Sequence, residues 1–329
     1  MLSRDYEGLE LSTQILIREA IRREIEVNVL DWKDNFIRLK KGNKTEYIKQ
    51  ATRTSADTYI SPLIMENKEV TKLILSENDI NVPKGITVTS IDEALKYFDS
   101  FRNKNIVIKP KSTNFGKGVI ILKPLDVAES LKNAVEYALQ FDEEVMIEEF
   151  IEGKEYRFLV IGDEVVAVLH RVPANVKGDG QSTIEQLVHA KNKDVLRGEG
   201  YKTPLERIKL GSVEIDFIKL QGKDITYIPQ NGETVFLREN SNISTGGDSI
   251  DFTDQISEAY KKIAVKAAKV VGAKICGADI IIDNIVDNPD SENYSIIELN
   301  FNPALHIHDF PYEGKNRHVE VSVLDLLGL

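Results

Sequence analysis

The 329-residue chain has a single cysteine, Cys276, so no disulfide can form within it. That excludes a cross-linked scaffold and makes a reducing cytoplasm the expected compartment. No apolar run approaches the roughly 20 residues that a membrane-spanning helix needs. The opening residues MLSRDYEGLE lack the apolar centre of a signal peptide, so neither a membrane partner nor secretion is expected. Positive charge is also in deficit: 42 Lys and Arg face 53 Asp and Glu, a formal net charge of −11. Nucleic-acid binding needs clustered cations in excess and is not expected. No GxxxxGK[ST] run, internal repeat or low-complexity segment occurs. What is present is ordinary for a globular protein: 42 % hydrophobic and 29 % charged residues, at a length that suggests two or three subdomains.

Patterning supplies the elements. STQILIREAIRREI, residues 12–25, has helical apolar spacing with Ser12 as the expected N-cap. EVNVLD reads as a strand and NFIRLKKGNKTEYIKQ as a hairpin about Gly42-Asn43. This opening, residues 1–56, is half an α/β domain and is expected to lean on the rest. Residues 57–78 read as one helix. Strands VPKGITV, NIVIKP, GVIIL and EVMIEEF then alternate with the helix SIDEALKYFDSF, capped by Ser90, and a helix over 126–140. The loop between NIVIKP and GVIIL is hairpin-length, so antiparallel pairs are expected over a unit of residues 57–154. In residues 155–329, EYRFLVIGDEVVAVLHRV reads as a hairpin about Gly162-Asp163 and GDGQSTIEQLVHAKN as helical. Residues 213–240 read as β-rich and 253–271 as a helix. GADIIIDNIVD pairs with YSIIELNFNP. The expected class is α+β rather than a doubly wound sheet.

Several stretches could carry chemistry. In SIIELNFNP, Glu298, Asn300 and Asn302 fall on one strand face, either a wet face or a wall for a hard cation. Asp279 lies on the strand expected to pair there. With no nearby His or Cys, the oxygen set suits Mg²⁺ rather than zinc. VIKPKSTNFGKGVIIL places Lys109 before a small-residue loop, which fits phosphate binding or a plain hairpin tip. MIEEFIEGKE is an acidic turn, or a linker holding an adenine with Glu155 at a ribose. Arg157, Arg171 and Arg238 suit phosphate or carboxylate recognition, or surface ion pairs. LRENSNISTGGDS gathers Arg238, Asn240 and a Gly-Gly turn into a segment that could cap an anion.

Taken in this order, from about Met65 to His308, these motifs resemble the ATP-grasp superfamily. Within it the chain resembles the glutathione synthetase module of bacterial bifunctional enzymes, through YEGLELSTQILIREA, FIRLKKGNKTEYIKQAT, MENKEVTK, HRVPANVKGDGQSTI, LRENSNISTGGDSID and NFNPALHIHDFPYEGK. RVPANVKGDGQSTIEQLV is also similar to cyanophycin synthetase. The chain lacks the glutamate–cysteine ligase module, so a free-standing ligase or a separated piece is expected. Its length and the missing P-loop favour the glutathione reading.

The resemblance implies two α+β subdomains clamping ATP. Lys68 and Lys109 would contact phosphates, and the loop with Ser112, Thr113, Asn114, Gly116 and Gly118 would cover them. Glu148, Glu149, Phe150 and Ile151 would hold the adenine edge, and Glu155 the ribose. Asp279, Glu298 and Asn300 would hold Mg²⁺, with two ions expected and Mn²⁺ as a substitute. Arg157, Arg171, Arg238 and Asn240 would serve the acyl phosphate. The implied reaction is ADP-forming ligation of γ-glutamylcysteine to glycine, with a non-catalytic nucleotide-binding module as the alternative. A homodimer and a separate glutamate–cysteine ligase are the implied protein partners. His306 and His308 fit either substrate contact or local hydrogen bonds.

Overall fold

The structure is a computed structural model that describes residues 6–112, 118–290 and 292–329. The opening segment comprises α1 (Leu11–Arg22) and the antiparallel strands β1 (Glu26–Asp31), β2 (Phe36–Lys41) and β3 (Lys44–Lys49), with the expected turn at Gly42. Ser12 is not the N-cap. That position is Glu10, without a side-chain cap, and Ser12 is buried as the second residue of the first turn. Its hydroxyl meets His306 Nδ1 at 2.8 Å and accepts from the Leu305 N–H at 3.0 Å, so a tertiary partner took the group that local propensity would have used as a cap.

Residues 57–78 form two helices, α2 (Ile60–Glu66) and α3 (Lys68–Glu77). Asn67 is extended between them and its side chain accepts from the Val70 N–H, capping α3. Next come β4 (Gly85–Val88), α4 (Ile91–Leu95) with Ser90 as its cap, α5 (Phe98–Phe101), β5 (Ile106–Pro110), β6 (Ile120–Leu122), α6 (Ala128–Ala138) and β7 (Val145–Glu149). These strands make an antiparallel sheet ordered β4-β7-β5-β6. Ile106, Ile108, Val145 and Ile147 pack there on Leu131, Ala134 and Val135 of α6.

The hairpin of β8 (Lys154–Ile161) and β9 (Glu164–Val172) follows, then a small lobe with β10 (Asn175–Lys177), α7 (Ile184–Lys191), β11 (Arg197–Gly198), β12 (Leu205–Glu206), α8 (Ser212–Leu220) and β13 (Thr234–Phe236). The expected β-rich run over 213–240 is therefore corrected: it begins with a helix. Val213, Ile215 and Phe217 alternate like a strand. Glu214, however, accepts from the Gly211 N–H at 2.9 Å and closes a helical first turn. The chain ends with β14 (Asp248–Asp251), α9 (Glu258–Val270), β15 (Ile275–Ile282), β16 (Tyr294–Asn300), α10 (His306–Asp309) and α11 (Val319–Leu326).

The main sheet is antiparallel throughout, ordered β14-β9-β8-β15-β16. One face packs Tyr156, Phe158, Cys276, Ala278 and Ile280 on Tyr260, Ala264 and Ala267 of α9. The opposite face is divided. At one end Leu159, Ile161 and Ile275 join Leu16, Ile37, Leu39 and Ile48 of the opening segment and Val323 and Leu324 of α11. At the other end it carries charged side chains.

Cys276 is wholly buried against α9, and burial pushes its thiol up to about 12. It should resist a thiol-exchange reagent at pH 8 in the native protein and react with one equivalent in guanidinium. Rapid native labelling would place it outside this core.

Candidate active site

A cavity of about 1380 Å³ is lined by both larger sheets, the opening segment and residues of the 238–244 stretch. That is more room than one small ligand fills. Sheet register sets its floor. Asp279 on β15 lies opposite Arg157 of β8 on one side and Glu298 of β16 on the other. Arg157 grips Asp279 as a fork, with Nε on Oδ1 and Nη2 2.7 Å from Oδ2. Asn300 donates to Asp279 Oδ2 at 3.3 Å. Arg171 reaches Glu155 and stands 3.6 Å from Asp279, and Ser241 donates its hydroxyl to Glu155. Burial pushes the Asp279 carboxyl up, but the Arg157 and Arg171 guanidiniums outweigh that and hold it below the usual range. For Glu155 burial wins over Arg171 and its carboxyl is raised. A bulge after Asp279 shifts the pairing to Ile280↔Ile296, which adds Ile297 to the cavity wall beside Glu298.

The facing sheet contributes a second cluster. Glu148 is buried and pairs with Lys72 and with Lys109, the latter at 2.8 Å. Lys68, at the first turn of α3, has its Nζ 4.0 Å from Glu298. A cation there opposes the helix dipole, and burial drives its pKa down. Burial, reinforced by Lys109, brings Lys72 down to about 8. Burial also opposes charge on Lys109, but Glu148 overrides it and holds that lysine above its usual value. The arrangement keeps ammonium groups concentrated in a protein of net charge −11, which suits a polyanion.

The expected site residues converge unevenly. Lys68, Lys109, Glu155, Arg157, Arg171, Arg238, Asn240, Asp279, Glu298 and Asn300 all line the cavity. Glu148 lines it too, but its carboxylate is committed to two lysines and its strand is hydrogen-bonded on both edges, so it stands apart from an adenine edge. Glu149 accepts from the Lys84 N–H at 2.9 Å, and the Phe150 N–H is taken by Asn105 O. Ile151 has no backbone partner among the described residues and lines the cavity, which suits it to a nucleobase edge. Ser112 is tied by N–H and hydroxyl to Asp142. Gly118 has φ +78°, and a Cβ there would lie 2.6 Å from Pro110 and 2.8 Å from Phe141. Thr113, Asn114 and Gly116 lie outside the described residues. Arg238 pairs with Glu214 of α8, and Asn240 Oδ1 accepts from Thr245. His306 lines the cavity, whereas His308 is fully buried away from it and both its ring nitrogens lack partners.

Sequence reading missed Lys72, Ser241 and Arg53. Lys72 had a usable signal, since it follows Lys68 by four residues on one helix and shares its face. Ser241 and Arg53 had none, because their partners are distant in sequence. Among the described residues no three His, Cys, Asp or Glu side chains cluster as metal ligands. Glu298 with the Asn300 and Asp279 oxygens nevertheless fits Mg²⁺, which takes one or two carboxylates and completes its octahedron with phosphate and water.

Residues 7–60 match an ATP-grasp-like domain, 66–176 the phosphoribosylglycinamide synthetase ATP-grasp (A) domain, and 224–314 a RimK-like ATP-grasp domain. The chain belongs to the ATP-grasp superfamily. Within it, 98 % of the chain is 61 % identical to the glutathione biosynthesis bifunctional protein GshAB of Clostridium perfringens, and 97 % is 51 % identical to that of Desulfotalea psychrophila. It spans 41 % of the length of each of these relatives. The crystal structure of a bifunctional glutathione synthetase from Pasteurella multocida matches with a TM-score of 0.78 and 46 % identity, over 98 % of this chain and 44 % of that one.

The Lys72 shift has a measurable consequence. Its folded-state pKa of about 8 lies below the ordinary lysine value, so it is uncharged in part at pH 9. A bound triphosphate favours the ammonium form, so nucleotide binding at pH 9 should take up a proton, and affinity should fall as pH rises through about 8. Calorimetry in buffers of different ionisation enthalpy measures this. Equal heats at pH 9, or uptake unchanged in Lys72→Met, would contradict the assignment.

Proposed function

We propose that this protein is an ADP-forming carboxylate–amine ligase that joins γ-glutamylcysteine to glycine. The observation that carries the reading is the meeting, in one cavity, of Lys68 and Lys109, with Lys72 buried behind them on Glu148, and the row Arg157, Asp279, Glu298 and Asn300. The likeness to proteins named for glutathione biosynthesis supports the substrate pair. Those relatives are bifunctional, which supports a glutamate–cysteine ligase, fused or separate, as the source of the dipeptide.

In this reading ATP lies between the two sheets. Ile151 and its neighbours take the adenine, Glu155 the ribose, and Lys68 and Lys109, backed by Lys72, the phosphates, with the loop from Ser112 to Gly118 over them. Glu148 acts behind two of the lysines and fixes their direction. Mg²⁺, two ions or Mn²⁺ in its place, would be held by Glu298, Asn300 and Asp279 and would supply charge neutralisation to the phosphates. A carboxylate oxygen of the dipeptide attacks Pγ, the bond from Pγ to ADP breaks, and an acyl phosphate forms. The glycine nitrogen then attacks the acyl carbon, the C–O bond to phosphate breaks, and the amine loses a proton. Arg157 and Arg171, already oriented by Asp279 and Glu155, stabilise the moving phosphoryl charge. Arg238 and Asn240 close over the acyl phosphate and keep water from it. The buried Cys276 has no part, and no enzyme nucleophile is needed.

Phosphate release that requires ATP, γ-glutamylcysteine and glycine together tests the proposal. ATP binding without release for any dipeptide or amino-acid pair would indicate a non-catalytic module. A product with arginine and none with glycine would indicate the cyanophycin-like chemistry.

Glu298→Gln removes one ligand charge while preserving shape. It should lower kcat on the order of 100-fold with an unchanged melting temperature in the absence of nucleotide. A near-normal rate at saturating Mg²⁺ would return Glu298 to a solvated strand face.

A further inference from the structure

The cavity extends past the metal row into the opening segment, where a polar group lies that the phosphate chemistry does not use. Asn302 lies two residues beyond Asn300, in the bend that follows β16. Thr52 Oγ1 donates to Asn302 Oδ1 at 2.8 Å. Asn302 Nδ2 donates to Gln50 Oε1 at 3.2 Å, and Gln50 Nε2 donates to Glu10 Oε1 at 3.2 Å. These bonds fix both amides and tie Glu10 to the bend after β16.

Arg53 closes the group. Its guanidinium lies 5.1 Å from the centre of the Phe301 ring and lines the cavity. Its Nε is buried without a hydrogen-bond partner, and among the described residues the guanidinium forms no ion pair. The unpaired Nε leaves a permanent cation incompletely satisfied, and the side chain lines the cavity, where a ligand anion can pair with its guanidinium. The backbone that delivers it is held in the left-handed region at two successive non-glycine residues, Gln50 at φ 51° and Ala51 at φ 65°. Backbone of this kind persists where surrounding structure enforces it and gathers at ligand sites.

We infer that Arg53 and Glu10 form a subsite for the free amino-acid end of the carboxylate substrate, Arg53 taking its α-carboxylate and Glu10 its α-ammonium. The inference rests on the proposed ligase function. In γ-glutamylcysteine the zwitterionic α-carbon lies six bonds from the carboxyl carbon to be activated, about 7 Å in an extended chain. The opening segment is then a specificity element, and a substrate without a free zwitterionic end leaves Arg53 open.

Steady-state kinetics with two truncated dipeptides test this: 4-aminobutyrylcysteine, which lacks the α-carboxylate, and glutarylcysteine, which lacks the α-ammonium. The wild type should show kcat/KM about 10- to 100-fold lower for each than for γ-glutamylcysteine. Arg53→Met should erase the discrimination against the first alone and Glu10→Gln against the second alone. Arg53→Lys should restore part of it. Nucleotide affinity, measured in every variant, should be unchanged and shows that each is folded. If the wild type uses γ-glutamylcysteine but the variants keep wild-type discrimination, the subsite is wrong and the ligase reading stands. If the wild type does not use γ-glutamylcysteine, the ligase reading falls and the subsite with it.

Discussion

The fork between Arg157 and Asp279 is the contact on which the site depends. Both groups are buried, and neither would be stable there alone. Removing one partner of such a pair costs about 3–5 kcal/mol, as large as the burial of any one core side chain. Antiparallel register makes the fork unavoidable, because the two residues sit directly opposite on neighbouring strands. The same register puts Glu298 across from Asp279 on the far side. A shift by one residue on any of the three strands would turn these charges into the α9 core and bring Phe158 or Ala278 into the cavity.

The divided sheet face follows from the same alternation. Odd-numbered positions of β8 are Glu155, Arg157, Leu159 and Ile161, charged at one end and apolar at the other. The opening segment covers the apolar end with α1 and its hairpin, and in doing so brings its own polar residues to the border of the site. Its apolar side chains share one core with the sheet and α11. Structural support and a cavity wall are therefore one and the same segment.

The lysine cluster shows a different balance. Glu148 is nearly inaccessible and its partners are long, flexible ammonium side chains that would otherwise spread into solvent. Holding them before a ligand arrives lowers the ordering cost at binding. It also buries Lys72 beside Lys109, and burial, reinforced by that like charge, lowers the Lys72 pKa. The same arrangement is therefore marginal for the free protein and favourable for one holding a polyanion.

By itself the sequence determined the alternation of strands and helices, the hairpins at Gly42 and Gly162, and the pairing of the Asp279 strand with the Glu298 strand, because period-two and helical apolar patterns are local. It also marked the oxygen-rich strand face and the lysine before the loop. It did not determine what Ser12 does, since a serine ahead of a helical pattern caps by local rules and here bonds to His306 instead. Nor could it tell the helix at 212–220 from a strand, as its alternating Val, Ile and Phe satisfy both periods. Only the tertiary structure decided that Glu148 serves Lys72 and Lys109, that Arg157 rather than solvent meets Asp279, and that Arg53 reaches Phe301. Those partners lie between 39 and 248 positions apart and meet through sheet order and the docking of the opening segment, which no local pattern encodes.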